Sequence, residues 1–199
     1  MPNTITSKSN SIKRLTGIAI FSAIIVLLQL FATFVKFGPI SITLALIPIV
    51  VGAAAYGILA GTFLGGVFGL VTLVGCIFGW DFGGNMLWAV NPLITALLCL
   101  VKGAAAGFLA GAAYILISKK SSDVGAVFAA IICPLTNTGI FILSMVLFYN
   151  ETLTSWAGET PVLSYIIFGL AGINFILEFS INVILSPIVA RVLRIKTLI

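Results

Sequence analysis

The chain has no histidine, and only 8% of its 199 residues are charged. Soluble domains carry about 25% charge, so an ordinary globular protein in water is excluded. Acidic residues are the scarcest: Asp81, Asp123, Glu151, Glu159 and Glu178 are the whole set. With no histidine, no carboxylate pair and no nucleophile elbow, nothing in the sequence reads as acid–base or covalent catalysis. There is no GxxxxGK[ST] loop, so ATP cannot be bound through a Walker motif. The three cysteines, Cys76, Cys99 and Cys133, lie in apolar runs with no CxxC or Cys/His spacing. That removes a metal-ligand pattern and leaves them as small core residues. Short alternating segments are missing too, which excludes a membrane barrel.

What is present is apolar length. Hydrophobic residues make up 61% of the chain, in runs long enough for membrane helices. The expected fold is an all-α integral membrane protein with six transmembrane helices. The spans read as about 15–35, 40–56, 59–78, 92–117, 124–149 and 162–190. The first run has no clear cleavage site and reads as a retained span. Residues 1–14 and 195–199 read as tails around one membrane domain, 15–194. Gly79–Asn91 and Asn150–Pro161 read as loops. The stretch Pro48–Leu73 carries no charge and places Gly57, Gly61, Gly65 and Gly69 four residues apart. The apolar run around it, Pro39–Phe78, would make about 60 Å of helix against a hydrocarbon core of about 30 Å, so it is expected to fold back near Tyr56-Gly57-Ile58. Small residues at that spacing let a second helix backbone come close. Gly103, Gly107 and Gly111 repeat the spacing in the fourth span and read as packing positions.

Six spans put both ends on one side, and the basic residues sort accordingly. Lys8, Lys13, Arg14, Lys119, Lys120, Arg191, Arg194 and Lys196 fall on the side of the termini. Only Lys36 falls opposite, with Asp81, Glu151 and Glu159. By the positive-inside rule the termini are cytoplasmic. Trp80, Trp88 and Trp156 then lie in or beside outer loops, where interfacial anchors occur.

Polar residues within the spans share one level. Counted from the cytoplasmic charges at about 1.5 Å per residue, Gln29 stands about 22 Å up and Lys102 about 25 Å. Asn137 stands about 21 Å up and Glu178 about 20 Å, with Asn174 one turn higher. Below them the spans are almost purely apolar, apart from small residues and Asn182. A polar ring above an apolar floor describes a binding cup better than a through-pore. A charged side chain within a span costs on the order of 3 kcal/mol, so Lys102 and Glu178 call for a partner or a function. A salt bridge between them, snorkelling of the lysine and direct ligand contact all meet that demand.

The order Ile47-Pro48-Ile49-Val50-Val51-Gly52, Tyr56-Gly57-Ile58-Leu59-Ala60-Gly61, Gly65 and Gly69, then VKGAAAGFLAG and CPLTNTGIF, resembles a known family. The chain is similar to the substrate-binding S-components of energy-coupling factor (ECF) transporters over nearly its whole length. The resemblance implies a membrane subunit, not an enzyme, that takes up a water-soluble vitamin at the outer face of a prokaryotic plasma membrane. It implies docking on a transmembrane coupling protein and two ATPases; ATP is used by those partners, and this chain binds no cofactor. Positions matching the family's ligand-holding regions are Lys36, Trp80, Asp81, Asn85, Trp88, Lys102, Asn137, Asn174 and Glu178. The matching coupling contact is the small-residue pair Ala19 and Ala23 on the first span. A lysine in the cup suits a carboxylate vitamin such as pantothenate or folate. The absence of an acidic residue in Ser41-Ile42-Thr43-Leu44 argues against riboflavin. The competing expectations are an autonomous small-solute channel or facilitator and a riboflavin-binding S-component.

Overall fold

The computed structural model describes residues 3–32, 36–37, 40–41 and 44–197, with side chains described for 11–32, 44–170, 172 and 175–187. Helix α1 spans Asn3–Ala32. A two-residue antiparallel pair follows, β1 Lys36–Phe37 with β2 Ile40–Ser41. Then come α2 Leu46–Tyr56, α3 Ile58–Phe78, α4 Phe82–Val90, α5 Pro92–Ser118, α6 Ser122–Phe148 and α7 Asn150–Ala157. The last stretch is α8 Val162–Ser164, a π-helical segment Tyr165–Gly172 and α9 Ile173–Thr197.

Five helical stretches among the described residues are long and apolar enough to cross a membrane: Ser11–Ala32, Ile58–Phe78, Pro92–Ser118, Ser122–Phe148 and Val162–Pro187. Apart from the two-residue strand pair, the elements among the described residues are helical, and the chain is a multi-pass membrane protein. Its outward faces carry Leu27, Phe31, Phe63, Leu97, Leu147 and Ile184, all exposed. Such faces suit acyl chains, not water.

Several expected boundaries are corrected. The second span does not begin near residue 40; α2 begins at Leu46 and is only 11 residues long, about 16 Å. Pro48 explains this, because its ring would clash with the carbonyl four residues earlier in a longer helix. The stretch Gly79–Asn91 is not a plain loop. Asp81 caps α4, its carboxylate accepting from the Gly84 N–H at 3.2 Å. Asn150–Pro161 likewise contains α7. Helix α1 already runs from Asn3, since no proline interrupts Asn3–Ala32. In the last span, a Cβ on Gly169 would stand 2.8 Å from the Tyr165 ring. That small residue lies inside the π-helical segment.

The hairpin turns where expected. Gly57 has φ +92°, a conformation glycine adopts freely, and serves at once as the end of α2 and the start of α3. Its N–H donates to Ala53 O and its carbonyl accepts from Gly61 N. The glycine stripe of α3 does not chiefly face α2, however. Gly61 meets Gly107, Gly65 meets Gly103, and Gly69 meets the Cys99 carbonyl, so the two stripes of α3 and α5 interlock. A Cβ on Gly61 would stand 2.6 Å from the Gly107 oxygen. A buried apolar core of Leu46, Ile49, Leu64, Ala106, Ala110, Ala126, Ala129 and Ala130 fills the part of the bundle nearer the α5–α6 turn. A second cluster, with Leu87, Leu98, Met145, Tyr149, Leu153 and Leu170, closes the other end.

Candidate functional site

Between the two clusters lies a cavity with about 820 Å³ of empty space, counting its mouth. Helix α5 supplies one wall. Asn91 caps it, accepting from the Ile94 N–H at 3.1 Å, and Pro92 occupies the first turn. From that fixed start Thr95, Leu98, Cys99 and Lys102 follow on one face and line the cavity. Helix α3 contributes Phe68, Thr72 and Cys76, and α6 contributes Asn137, Thr138 and Phe141. Gln29 of α1, Trp156 of α7, and Phe175 and Glu178 of α9 complete the wall, with Asp81 and Leu87 at the side of α4.

The four polar levels expected from the spans therefore meet: Gln29, Lys102, Asn137 and Glu178 line one cavity. The Lys102 ammonium lies 5.5 Å from the ring centre of Phe141 and 5.9 Å from that of Phe68. Aromatic faces attract a cation by about 0.5–2 kcal/mol, enough to hold the side chain in the cavity. Its hydrogens remain available to an anion. Asn137 is 5% exposed, and its Oδ1 has no hydrogen-bond partner among the described residues. A buried acceptor left so costs about 1–3 kcal/mol, which a ligand's N–H or O–H would recover. Glu178 is equally buried on the same wall. One turn below, Asn182 donates to the Glu178 carbonyl at 2.7 Å and fixes that part of α9.

The arrangement offers one cation, Lys102, two carboxylates, Asp81 and Glu178, and the amides of Gln29 and Asn137, in a chamber otherwise lined by threonines, thiols and apolar side chains. It has the parts to bind a polar molecule with an anionic end. Among the described residues no group of three or more Cys, Asp or Glu could hold a metal ion.

The family model described as "ECF transporter, substrate-specific component" matches residues 13–190. The chain belongs to this family. As an ECF substrate-specific component it is a transporter subunit and not an enzyme. Among curated proteins it is similar to the pantothenic acid transporter PanT of Lactococcus lactis subsp. cremoris (strain MG1363). The two are 29% identical over 188 aligned residues, covering 88% of this chain and 91% of that protein.

Of the positions the family resemblance pointed to, Asp81, Lys102, Asn137 and Glu178 line the cavity of this S-component. Trp80 does not; it is half exposed and stacks on Phe78 at 5.6 Å. The Asn85 amide is turned to the end of α3, donating to Cys76 O at 2.8 Å. Trp88 is half-buried on α4, outside the cavity wall. The side chains of Lys36 and Asn174 lie outside the described residues. Thr95 and Thr138 were missed, although Thr95 stands seven residues before Lys102 and thus on its face. Trp156 gave no signal beyond its place in a segment read as a loop.

Proposed function

We propose that this S-component captures a carboxylate vitamin at the outer face of a prokaryotic plasma membrane, with pantothenate the first choice and folate the second. One observation carries the reading: the Lys102 ammonium sits in the cavity beside Asn137 and Glu178, both buried. Lys102 meets the carboxylate, while Asn137, Thr138 and Glu178 meet hydroxyl and amide groups further along the ligand. The similarity to a pantothenic acid transporter supports pantothenate among such vitamins. The chain crosses six times, α2 making the short second crossing, with both termini cytoplasmic.

Uptake then requires partners, a transmembrane coupling protein and two ATPases that hydrolyse ATP. Their docking face is the α1 stripe of Ala19 and Ala23. Both are exposed, while Ile25 on the inner face is fully buried. An autonomous channel is disfavoured by the apolar core nearer the α5–α6 turn, where Asn182 and Ser186 of α9 are the buried polar side chains among the described residues below the cavity.

The test is ligand analysis of the purified chain, followed by titration with pantothenate, folate, biotin and riboflavin. Pantothenate is expected to bind best. Protein that carries no small molecule and binds none of the four would refute the reading. A riboflavin preference would refute the carboxylate assignment alone.

A further inference from the structure

Cys76 and Cys99 belong to different helices, yet their sulfurs face each other at 3.8 Å in the cavity wall. Both are free thiols. We infer that Cys76 and Cys99 form a redox-sensitive pair, which a hydroperoxide entering through the cavity mouth oxidises to a disulfide. The sequence alone marks them only as core residues 23 positions apart. It is the interlocked glycine stripes of α3 and α5 that bring them together, with Gly69 packed directly on the Cys99 carbonyl.

The chemistry closes without a further reactant. One thiol, as its thiolate, attacks the peroxide O–O bond; it becomes a sulfenic acid, and the other oxygen leaves as water once protonated. The second thiol attacks the sulfenic sulfur and expels a second water. Two thiols and one hydrogen peroxide thus give one disulfide and two waters. A dithiol or phosphine returns the pair to the reduced state.

Closing the pair reshapes the cavity. The sulfurs must approach to about 2.05 Å. The helix backbones already touch at Gly65, Gly69 and Gly103, so side-chain rotation must supply the movement. The Cys76 sulfur also fills the space above Gly84 on α4, where a Cβ would collide with it. Turning it toward Cys99 withdraws that contact from α4, whose Gly83, Gly84 and Leu87 form part of the cavity wall. Oxidation therefore weakens ligand binding; this consequence rests on the cavity being the vitamin site. All three thiols are buried, but Cys76 and Cys99 line the cavity, whereas Cys133 does not and is spared.

The experiment uses the full chain in lipid nanodiscs, reduced and then titrated with hydrogen peroxide. Peptide mass analysis is expected to show a Cys76–Cys99 cross-link lacking two hydrogens, with Cys133 still a thiol. Pantothenate affinity is expected to fall by about tenfold or more, a change of at least about 1.4 kcal/mol, and to return on reduction. In a Cys76→Ser, Cys99→Ser chain, the affinity measured before and after peroxide should be the same. Cys76 and Cys99 that stay free, or that oxidise singly without joining, overturn the pair. A disulfide that forms with affinity unchanged overturns the switch. If the reduced chain binds no pantothenate, the vitamin reading fails while the mass analysis still decides the pair. The wall movement is then read from the emission of Trp156 in a Trp80→Phe, Trp88→Phe chain. Emission unaltered by the disulfide overturns it.

Discussion

Lys102 concentrates the question of ligand chemistry in one side chain. Half-buried beside Phe68 and Phe141, it is held in the cavity wall by contacts that do not depend on a bound anion. Charge-assisted hydrogen bonds contribute about 1.5–3 kcal/mol. Lys102→Met should therefore weaken pantothenate binding by about tenfold to a hundredfold while the protein remains folded, as titration calorimetry beside a thermal melt would show. Equal affinity in the variant would remove the lysine from the site. Tyr149 predicts the reverse pattern. Its hydroxyl lies 2.7 Å from Thr95 Oγ1 and donates to the Asn91 carbonyl at 3.1 Å, in a fully buried position. Tyr149→Phe removes one donor, while the Asn91 carbonyl keeps the Thr95 N–H and the Thr95 hydroxyl. A loss of about 0.5–1.5 kcal/mol in stability, that of an ordinary hydrogen bond, is expected and read as a lower melting temperature. The level of Lys102, Asn137 and Glu178 was legible in the sequence because each helix starts from a charged end and rises by a fixed step. Lateral placement was not. Trp156 reaches the cavity and Trp80 does not, although both are tryptophans in segments read as outer loops.

At the level of elements, the glycine spacing of α3 and α5 announced close packing but not its partner. Two stripes of equal period are self-complementary, so the choice between α2 and α5 as the neighbour of α3 depends on the hairpin turn at Gly57. Helix α4 was hidden by its own sequence. Gly83 and Gly84 read as turn residues, yet Gly84 is needed to admit the Cys76 sulfur and Gly83 is buried in the cavity wall. A helix with two glycines in its first turns is held by its Asp81 cap and the burial of Leu87, neither of which composition reveals. Adjacent glycines give a direct test of the stripe. A Cβ on Gly65 would collide with the Gly103 backbone, whereas one on Gly66 meets nothing within 4 Å. Gly65→Ala should cost at least about 1–3 kcal/mol as an overpacked contact. Gly66→Ala should be neutral or stabilising by up to about 1 kcal/mol, since alanine is the better helix former. Thermal unfolding in detergent separates the two; equal midpoints would mean that the α3–α5 contact is looser than described.

Taken whole, the molecule has a polar cavity inside and an apolar exterior. Its exposed faces are large apolar side chains such as Leu59, Phe63, Leu93, Leu116 and Phe168, which suit lipid on every side. Against that surface the α1 stripe is different. Gly17 lies under the Tyr56 hydroxyl and Ile25 is buried, so one face of α1 is committed to the bundle. Ala19 and Ala23, one turn apart, face away from it, where a flat patch lets a second helix approach closely. Neither alanine lines the cavity, so binding and coupling are separable by mutation. Ala19→Leu or Ala23→Leu should leave pantothenate affinity unchanged in the isolated chain. The same substitutions should abolish uptake of labelled pantothenate in cells that also express the coupling protein and the ATPases, because a leucine on the patch holds the partner helix away. Co-purification of the coupling protein should fall in step with uptake. If uptake persists with the leucines in place, coupling runs through another face of the bundle. If affinity falls instead, α1 acts on the cavity through Gln29, which lies on its wall two to three turns further along the same helix.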